Sequence, residues 1–254
     1  MNNILAVEDL CKTYEVNERE NDVLKDVKLN VKEGEFISVM GPSGSGKSTL
    51  LYNVSGMDRM TSGEVVFDGI NLGEQDEKEL SKIRLQNMGF VFQQINLIKN
   101  LGIIDNIILS AYMANNRSRE EINKKAVGLM KKTDIYQLAD NDITQASGGQ
   151  LQRAAICRAL INDPEILFGD EPTGALNSSA ASNIMDILHT INGEGTTVML
   201  VTHNVKVASQ SERVLYMIDG SIAGEFTLGK FDKSKDEVKP RETELSDWLL
   251  EMGF

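Results

Sequence analysis

Short apolar runs separated by glycine-containing polar turns recur along the chain and predict β-strands. Such runs occupy residues 4–10, 23–31, 35–41, 63–69, 88–93, 165–171, 196–203 and 213–222. Helical spacing on one face unites Ile122, Ala126, Leu129 and Met130, and likewise Ile184, Ile187, Leu188 and Ile191. Strands come first, a helix-rich stretch follows over about residues 103–163, and the two types then alternate. This order predicts an α/β core with an inserted helical subdomain.

The chain changes character after about residue 229. The segment GKFDKSKDEVKPRE, residues 229–242, is charged throughout and predicts a solvated linker. Helical spacing then relates Leu245, Trp248, Leu249 and Met252. We expect this short helix to pack on the chain's own core, and docking on a partner stays open. The predicted division is therefore a domain over residues 1–229 and a linker with a short helix over residues 230–254.

Composition and charge narrow the class of protein. Of 254 residues, 41% are apolar and 25% are charged, as in ordinary folded soluble proteins. The 26 basic and 38 acidic residues give a net charge of −12, which disfavours a nucleic-acid partner. No apolar run approaches the ~20 residues of a membrane span, and the N-terminal residues lack a signal-peptide pattern. We expect a cytoplasmic protein that binds no nucleic acid.

The segment GPSGSGKST, residues 41–49, follows a predicted strand and opens a predicted helix. In that context Gly-x-x-x-x-Gly-Lys-Ser favours a phosphate-binding loop over a structural turn, because its glycines let the backbone wrap around phosphates. Lys47 would neutralise the β- and γ-phosphates, and Ser48 would ligate Mg²⁺. The predicted nucleotide-binding residues here are Gly41, Ser43, Gly44, Ser45, Gly46, Lys47, Ser48 and Thr49.

Polar residues end three other predicted strands. Asp170 would hold Mg²⁺, and Glu171 would orient or deprotonate the attacking water. Gln93 offers an amide oxygen to Mg²⁺ or to that water, and His203 offers a contact to the γ-phosphate. Taken alone, each of Gln93 and His203 favours a structural polar role at a strand end. Tyr14 is open to stacking on an adenine ring or to a core role.

A second candidate phosphate site lies in TQASGGQLQR, residues 144–153. Ser147, Gly148 and Gly149 precede or open a predicted helix, where backbone N–H groups and the helix dipole favour an anion. A chain that already has a complete phosphate loop therefore carries two such sites.

Together these segments resemble the ATP-binding cassette (ABC) ATPases over about residues 4–226. GPSGSGKST is similar to the Walker A loop, Gln93 to the Q-loop glutamine, ASGGQ to the signature, ILFGDE to Walker B, GALN to the D-loop and His203 to the switch histidine. The resemblance implies a P-loop NTPase fold with a RecA-like core, an antiparallel β subdomain and a helical subdomain. It also implies ATP and Mg²⁺ as ligands, with Glu171, His203 and Gln93 catalytic, with Ser48, Gln93 and Asp170 at the metal, and with Tyr14 stacking on adenine.

The resemblance also implies a head-to-tail homodimer in which Ser147, Gly148, Gly149 and Gln150 cap the γ-phosphate of ATP held by the partner. Three residues depart from the family pattern. Ala146 replaces a leucine at the start of the signature. Gly169 replaces an aliphatic residue or alanine in Walker B, and Asn177 replaces the D-loop aspartate, which puts coupling between the two sites in question.

Detail in QQINLIKN and NLGIIDNI is similar to the subfamily of macrolide export, lipoprotein release and antimicrobial-peptide detoxification. That similarity implies a permease on a separate chain and a place on the inner face of the cell membrane. The C-terminal extension favours the antimicrobial-peptide group. Two other classes stay open: a cell-division signalling ABC ATPase that transports nothing, and a non-transport ABC ATPase such as a translation factor or repair clamp.

Overall fold

The computed structural model describes residues 2–16, 18–235 and 237–254, which fall into two units. The first unit runs up to Leu80 and resumes at Thr197, and the second is Ser81–Thr196. The strands are β1 (Asn3–Val16), β2 (Arg19–Lys32), β3 (Phe36–Met40), β4 (Ser62–Phe67), β5 (Ile70–Asn71), β6 (Met88–Phe92), β7 (Ile166–Asp170), β8 (Thr197–Val201), β9 (Arg213–Ile218) and β10 (Ser221–Thr227). The α-helices are α1 (Lys47–Val54), α2 (Glu77–Asn87), α3 (Ile103–Ala114), α4 (Arg119–Lys132), α5 (Gly148–Leu160), α6 (Ser178–Gly193), α7 (Val205–Ala208) and α8 (Val238–Glu251).

An antiparallel sheet in the order β2-β1-β4-β5 forms one part of the first unit. In β2 the buried positions Val27, Leu29 and Val31 alternate with exposed ones, as expected for a sheet with one face on the core. The antiparallel β subdomain predicted from the sequence is therefore present.

A second set of strands in the first unit has the order β10-β9-β3-β8, in which β3 is parallel to both β8 and β9. Every residue of β3 and β8 is buried. Such unbroken apolar runs are typical of parallel strands that are covered on both faces. Met40 is the last residue of β3, and the glycine-rich loop begins at the next residue.

The prediction of a single strand over residues 213–222 is wrong. Asp219 (φ +47°) and Gly220 (φ +88°) turn the chain, and Ile218 then pairs with Ser221 in the antiparallel hairpin β9–β10. Two central residues with positive φ are what a tight hairpin turn with the right-handed strand twist requires, and Asp-Gly is a strong sequence signal for it.

The second unit contains the parallel pair β6–β7 and the helices α3, α4, α5 and α6. Helices α3, α4 and α5 share one apolar cluster that includes Ile107, Ala126, Met130 and Cys157. Ser118 begins α4 with a capping box, because its hydroxyl accepts from the N–H of Glu121 while the Glu121 carboxylate accepts from the N–H of Ser118. The predicted helix-rich stretch over residues 103–163 is confirmed.

The charged segment 229–242 is only partly a linker, which corrects the prediction. Helix α8 begins at Val238, so its first residues carry charges while its later residues are apolar. Leu245 and Leu249 are fully buried against Met40 and Tyr216 of the first unit. The expectation that this helix packs on the chain's own core is confirmed.

Candidate functional site

The glycine-rich loop joins β3 to α1 and takes a conformation that few other residues allow. Gly41, Gly44 and Gly46 all have positive φ, at +152°, +83° and +96°. A Cβ at Gly41 would lie 2.2 Å from the carbonyl oxygen of Met217, whereas one at Gly44 would meet nothing within 4 Å. Gly41 is thus required by close approach of the neighbouring strand, and Gly44 by its backbone conformation alone.

Lys47 is the first residue of α1, directly after the loop. Its Nζ donates to the carbonyl oxygens of Gly41 at 2.9 Å and Pro42 at 2.8 Å, so the ammonium lies over the curve of the loop. Ser48 and Thr49 follow in the first helical turn, where backbone N–H groups point out of the helix end. A positive charge beside a ring of backbone donors fits a chain of phosphates.

His203 reaches the same region through strand pairing. Val39 pairs with Val201 in the parallel ladder, and the N–H of Thr202 donates to the carbonyl oxygen of Val39 at 3.1 Å. The glycine-rich loop after β3 and the segment after β8 therefore begin side by side. His203 lies in the second of these segments and is exposed. The structure brings these two predicted site elements together.

Tyr14, on β1, belongs to a small polar cluster beside α1. Its hydroxyl donates to Asp58 Oδ2 at 2.6 Å, while Lys12 Nζ lies 4.5 Å from the ring centroid and 2.9 Å from Asp58 Oδ1. Burial, reinforced by Asp58, raises the pKa of the Tyr14 hydroxyl to about 12. Lys12 Nζ therefore lies over one face of the Tyr14 ring. No sequence pattern pointed to Lys12 or Asp58, because neither belongs to a motif.

The second unit brings Gln93, Asp170 and Glu171 together. Phe92 pairs with Asp170 in the parallel ladder, and the N–H of Gln93 donates to the carbonyl oxygen of Asp170 at 2.8 Å. The Gln93 side chain lies against Gly174, where an added Cβ would come within 3.1 Å of its Nε2. Two strand ends thus present an amide and two carboxylates at one place.

Glu171 has φ +51°, a left-handed conformation that non-glycine residues seldom adopt. The N–H of Gly174 donates to the Glu171 carbonyl at 3.0 Å, which closes the turn after β7. Such conformations cost about 1–3 kcal/mol and concentrate at functional sites. Nine other non-glycine residues in the described parts of the chain also have positive φ, so this conformation does not by itself distinguish Glu171 from them.

Ser147 caps the N-terminus of α5 through a reciprocal pair. Its hydroxyl accepts from the N–H of Gln150 at 3.4 Å, and Gln150 Oε1 accepts from the N–H of Ser147 at 2.8 Å. Ser147 and Gly148 are exposed, whereas Gly149 faces α6, where an added Cβ would lie 3.2 Å from that of Ala180. The second candidate phosphate site is therefore a capped helix end with exposed first residues.

The three residues that depart from the family pattern lie in different local settings. Ala146 is half-buried at the edge of the apolar cluster of α3, α4 and α5. Gly169 is buried in β7 and pairs with Val91. The Asn177 side chain caps α6 by accepting from the N–H of Ala180 at 2.9 Å, a bond that an aspartate oxygen would also make.

Two other kinds of site are absent from the described residues. Among them, no group of three or more histidine, cysteine, aspartate or glutamate side chains is arranged to hold a metal ion. None of the helices described combines the length and apolar character needed to cross a membrane.

A family model described as ABC transporter matches residues 24–174 of the chain. The uncharacterized ABC transporter ATP-binding protein MJ0796 of Methanocaldococcus jannaschii is 44% identical over 233 residues, covering 90% of this chain and 99% of its own length. The lipoprotein-releasing system ATP-binding protein LolD 1 of Chlorobium chlorochromatii is 38% identical over 224 residues, 87% of this chain and 91% of its own. The bacitracin export ATP-binding protein BceA of Halalkalibacterium halodurans is 37% identical over 233 residues, 91% of each.

A solved structure is similar along nearly the whole chain. It is a dimeric post-hydrolysis state of the ATP-binding cassette MJ0796 bound to ADP and Pi, with a TM-score of 0.83 and 43% identity. The match covers 89% of this chain and 100% of that one. The predicted fold class is confirmed.

Proposed function

Because this chain belongs to the ABC transporter family, whose cassettes are ATPases, we propose that it hydrolyses ATP to drive a membrane permease on a separate chain. The observation that carries the proposal is the loop between β3 and α1, with three left-handed glycines and Lys47 above it. A loop of this kind leaves little choice of ligand other than a polyphosphate.

In this proposal the first unit binds the nucleotide. Lys47 places its ammonium between the β- and γ-phosphates, and the N–H groups of residues 44–49 donate to their oxygens. The Tyr14 ring stacks on the adenine, while Lys12 over one ring face and Asp58 at the hydroxyl hold that ring in place.

The metal-binding residues would be Ser48, Asp170 and Gln93. A hydroxyl, a carboxylate and an amide oxygen suit Mg²⁺, which takes few protein ligands and is completed by phosphates and water. When bound, Mg²⁺ would neutralise charge on the phosphate oxygens. The hydrogen bond between the Gln93 N–H and the Asp170 carbonyl keeps two of these side chains on adjacent strand ends.

Glu171 and His203 would serve the hydrolytic step. Glu171 accepts a hydrogen bond from the attacking water and takes its proton as the bond to the γ-phosphorus forms and the bond to the leaving ADP oxygen breaks. His203 donates to the γ-phosphate and helps to hold it in line. The rigid turn at Glu171 fixes where its carboxylate can go.

Two copies of the chain would complete each site. The exposed end of α5 presents Ser147, Gly148, Gly149 and Gln150 to the γ-phosphate of ATP held by the partner, and the solved relative is dimeric. Since hydrolysis removes the ligand shared by the two chains, ATP closes the dimer and its loss opens it.

Mixing two defective chains tests this arrangement. One variant carries Lys47→Ala and the other Ser147→Phe, each with Glu171→Gln so that bound ATP is retained. Neither alone should trap ATP, because every site then has one damaged half. Mixed dimers join one intact Lys47 to one intact Ser147 and should retain about one ATP per dimer, measured with radiolabelled ATP after gel filtration.

The Glu171→Gln chain without further change is the positive control and should retain about two ATP per dimer. Differently tagged chains establish that mixed dimers have formed. If α5 acted on the nucleotide of its own chain, mixing would restore nothing, because each chain would still carry one defect. Verified mixed dimers that retain no ATP therefore contradict the two-chain site.

The finer proposal is antimicrobial-peptide export or detoxification, with lipoprotein release or macrolide-type export as neighbouring activities. Relatives named for bacitracin export and for lipoprotein release support this range, and the match to BceA extends over 91% of each protein. The chain would then act on the inner face of the cell membrane, held there by its permease.

Identification of the membrane partner tests the transport proposal. The tagged full-length chain, purified from detergent-solubilised membranes, is expected to bring down a permease with a large extracytoplasmic domain. A division-complex protein in its place would favour cell-division signalling. Ribosomal or DNA-repair partners would favour a non-transport ATPase and contradict the proposal. The matched control is the same tag on an unrelated soluble protein.

A further inference from the structure

Arg241 in α8 is almost entirely buried, at 7% exposure. Its guanidinium donates to four backbone carbonyl oxygens: Nε to Ser209 at 2.7 Å, Nη2 to Ser211 at 2.7 Å and Gly229 at 2.9 Å, and Nη1 to Leu228 at 3.1 Å. The planar guanidinium presents its donors in a fixed geometry. These bonds therefore attach α8 both to the turn at residues 209–211 and to the turn at residues 228–229.

This burial is unusual for a charged side chain, because removal from water penalises the charge. The same desolvation lowers the pKa of the Arg241 guanidinium. Its ion pair with Glu237 is long, at 3.9 Å, so backbone carbonyls rather than a close carboxylate compensate the charge. The hydrogen bonds to these carbonyl oxygens depend on the geometry of the turns, whereas neutralisation by a carboxylate would depend on it less.

Two of those carbonyls belong to the turn that ends the switch segment. We use this name for residues 203–211, which run from the end of β8 through α7 to the start of β9. Asn204 caps α7, its side chain accepting from the N–H of Val207 at 3.3 Å, and the N–H of Ser209 donates to the Val205 carbonyl at 2.8 Å. Because the segment is short and internally bonded, fixing its far end also restricts His203 at its start.

The switch segment is also tied to β3, the strand that leads into the glycine-rich loop. The Ser38 and Ser211 hydroxyls lie 2.5 Å apart in a buried hydrogen bond. Leu245 of α8 packs in one apolar cluster with Met40 at the end of β3 and Ala208 of α7. Helix α8 therefore contacts both β3, which leads into the glycine-rich loop, and α7 of the switch segment.

We propose that Arg241 is a positioning residue, which holds the switch segment so that His203 keeps its place beside the glycine-rich loop. The C-terminal helix thereby becomes part of the hydrolytic machinery rather than an appendage to it. This inference rests on the proposed role of His203 in ATP hydrolysis.

A double-mutant cycle between Arg241 and His203 tests the inference in the full chain. Arg241→Met removes the donors while keeping an unbranched apolar side chain. We expect kcat for ATP to fall about tenfold, since displacement of a reacting group by about 1 Å costs up to about a hundredfold, with KM for ATP unchanged. In a His203→Ala background the same change should cause no further loss, because its effect passes through His203.

The matched control is Lys239→Met, which removes a positive charge from an exposed site on the same helix and should leave kcat unchanged. Residual hydrolysis is followed with radiolabelled ATP so that a further tenfold loss remains measurable. Rates are expressed per molecule able to bind ATP, which separates slow turnover from unfolded protein. If Arg241→Met yields no folded protein, Arg241→Lys enters the same cycle with a smaller expected loss, because one ammonium cannot reach all four carbonyls.

Each remaining outcome is decisive. An equal loss of kcat with and without His203 would show that Arg241 serves stability alone, and an unchanged kcat in Arg241→Met would likewise overturn the inference. Full activity in His203→Ala alone would instead remove the proposed role of His203, and the inference with it. Loss on Arg241→Met that is absent from the His203→Ala background supports it.

Discussion

Glu171→Gln is expected to lower ATP turnover about a hundredfold or more while ATP still binds. The amide matches the carboxylate in shape, so the turn after β7 and its bond to Gly174 are kept. It cannot take a proton from water, however, and so the hydrolytic step loses its base. Phosphate release under saturating ATP, compared with binding of a fluorescent ATP analogue, measures the two effects separately.

The same variant should form a lasting dimer with ATP and Mg²⁺, because the ligand shared by two chains is no longer consumed. Light scattering with and without ATP–Mg²⁺ measures the mass directly. The matched control is Glu165→Gln, directly before the Walker B segment, where an amide can still accept from Asn87 Nδ2. A Glu171→Gln chain that stays monomeric under both conditions would contradict the closed dimer.

Lys47→Ala is expected to remove productive ATP binding, with affinity reduced about a hundredfold, because hydrogen bonds to a charged group contribute about 1.5–3 kcal/mol and each 1.4 kcal/mol is tenfold. Since Lys47 also bonds to the loop carbonyls of Gly41 and Pro42, a change in loop stability is the competing explanation. Thermal unfolding without nucleotide isolates that contribution.

Thermal unfolding with ATP then completes the comparison, because a ligand that binds only the native state raises the midpoint. The variant should lose this rise while keeping most of its stability without nucleotide. Lys25→Ala, on β2 of the same unit, is the matched control and should keep the rise. Unchanged affinity and turnover in Lys47→Ala would mean that the loop does not bind phosphate.

Elements set by neighbouring residues were predictable. The loop at residues 41–49 needs three left-handed glycines in a fixed pattern, and the chain has them. The capping box of Ser147 and Gln150 is likewise a pattern of four consecutive residues. The hairpin that the strand prediction missed belongs to this class too, since the dipeptide Asp219-Gly220 is a local turn signal.

Other features depend on contacts between distant parts of the chain. Residues 238–242 were predicted to be linker because they are charged. Hydropathy alone does not show that Arg241 is buried and donates to four backbone carbonyls in two distant turns. The cluster of Lys12, Tyr14 and Asp58 brings together residues 44 and 46 positions apart. None of these three residues belongs to a hydrophobic periodicity from which the cluster could be predicted.

The amino-acid sequence by itself determined most of the strands, the main helices, the phosphate loop and the identity of the polar residues at the strand ends, because these depend on short-range backbone preferences and on spacing. Only the tertiary structure decided which of those residues meet. Parallel pairing of β6 with β7 brings Gln93 to Asp170, and pairing of β3 with β8 brings His203 beside the loop. Parallel partners are joined through long crossovers, so their register is set by burial of the whole sheet rather than by any residue near the site.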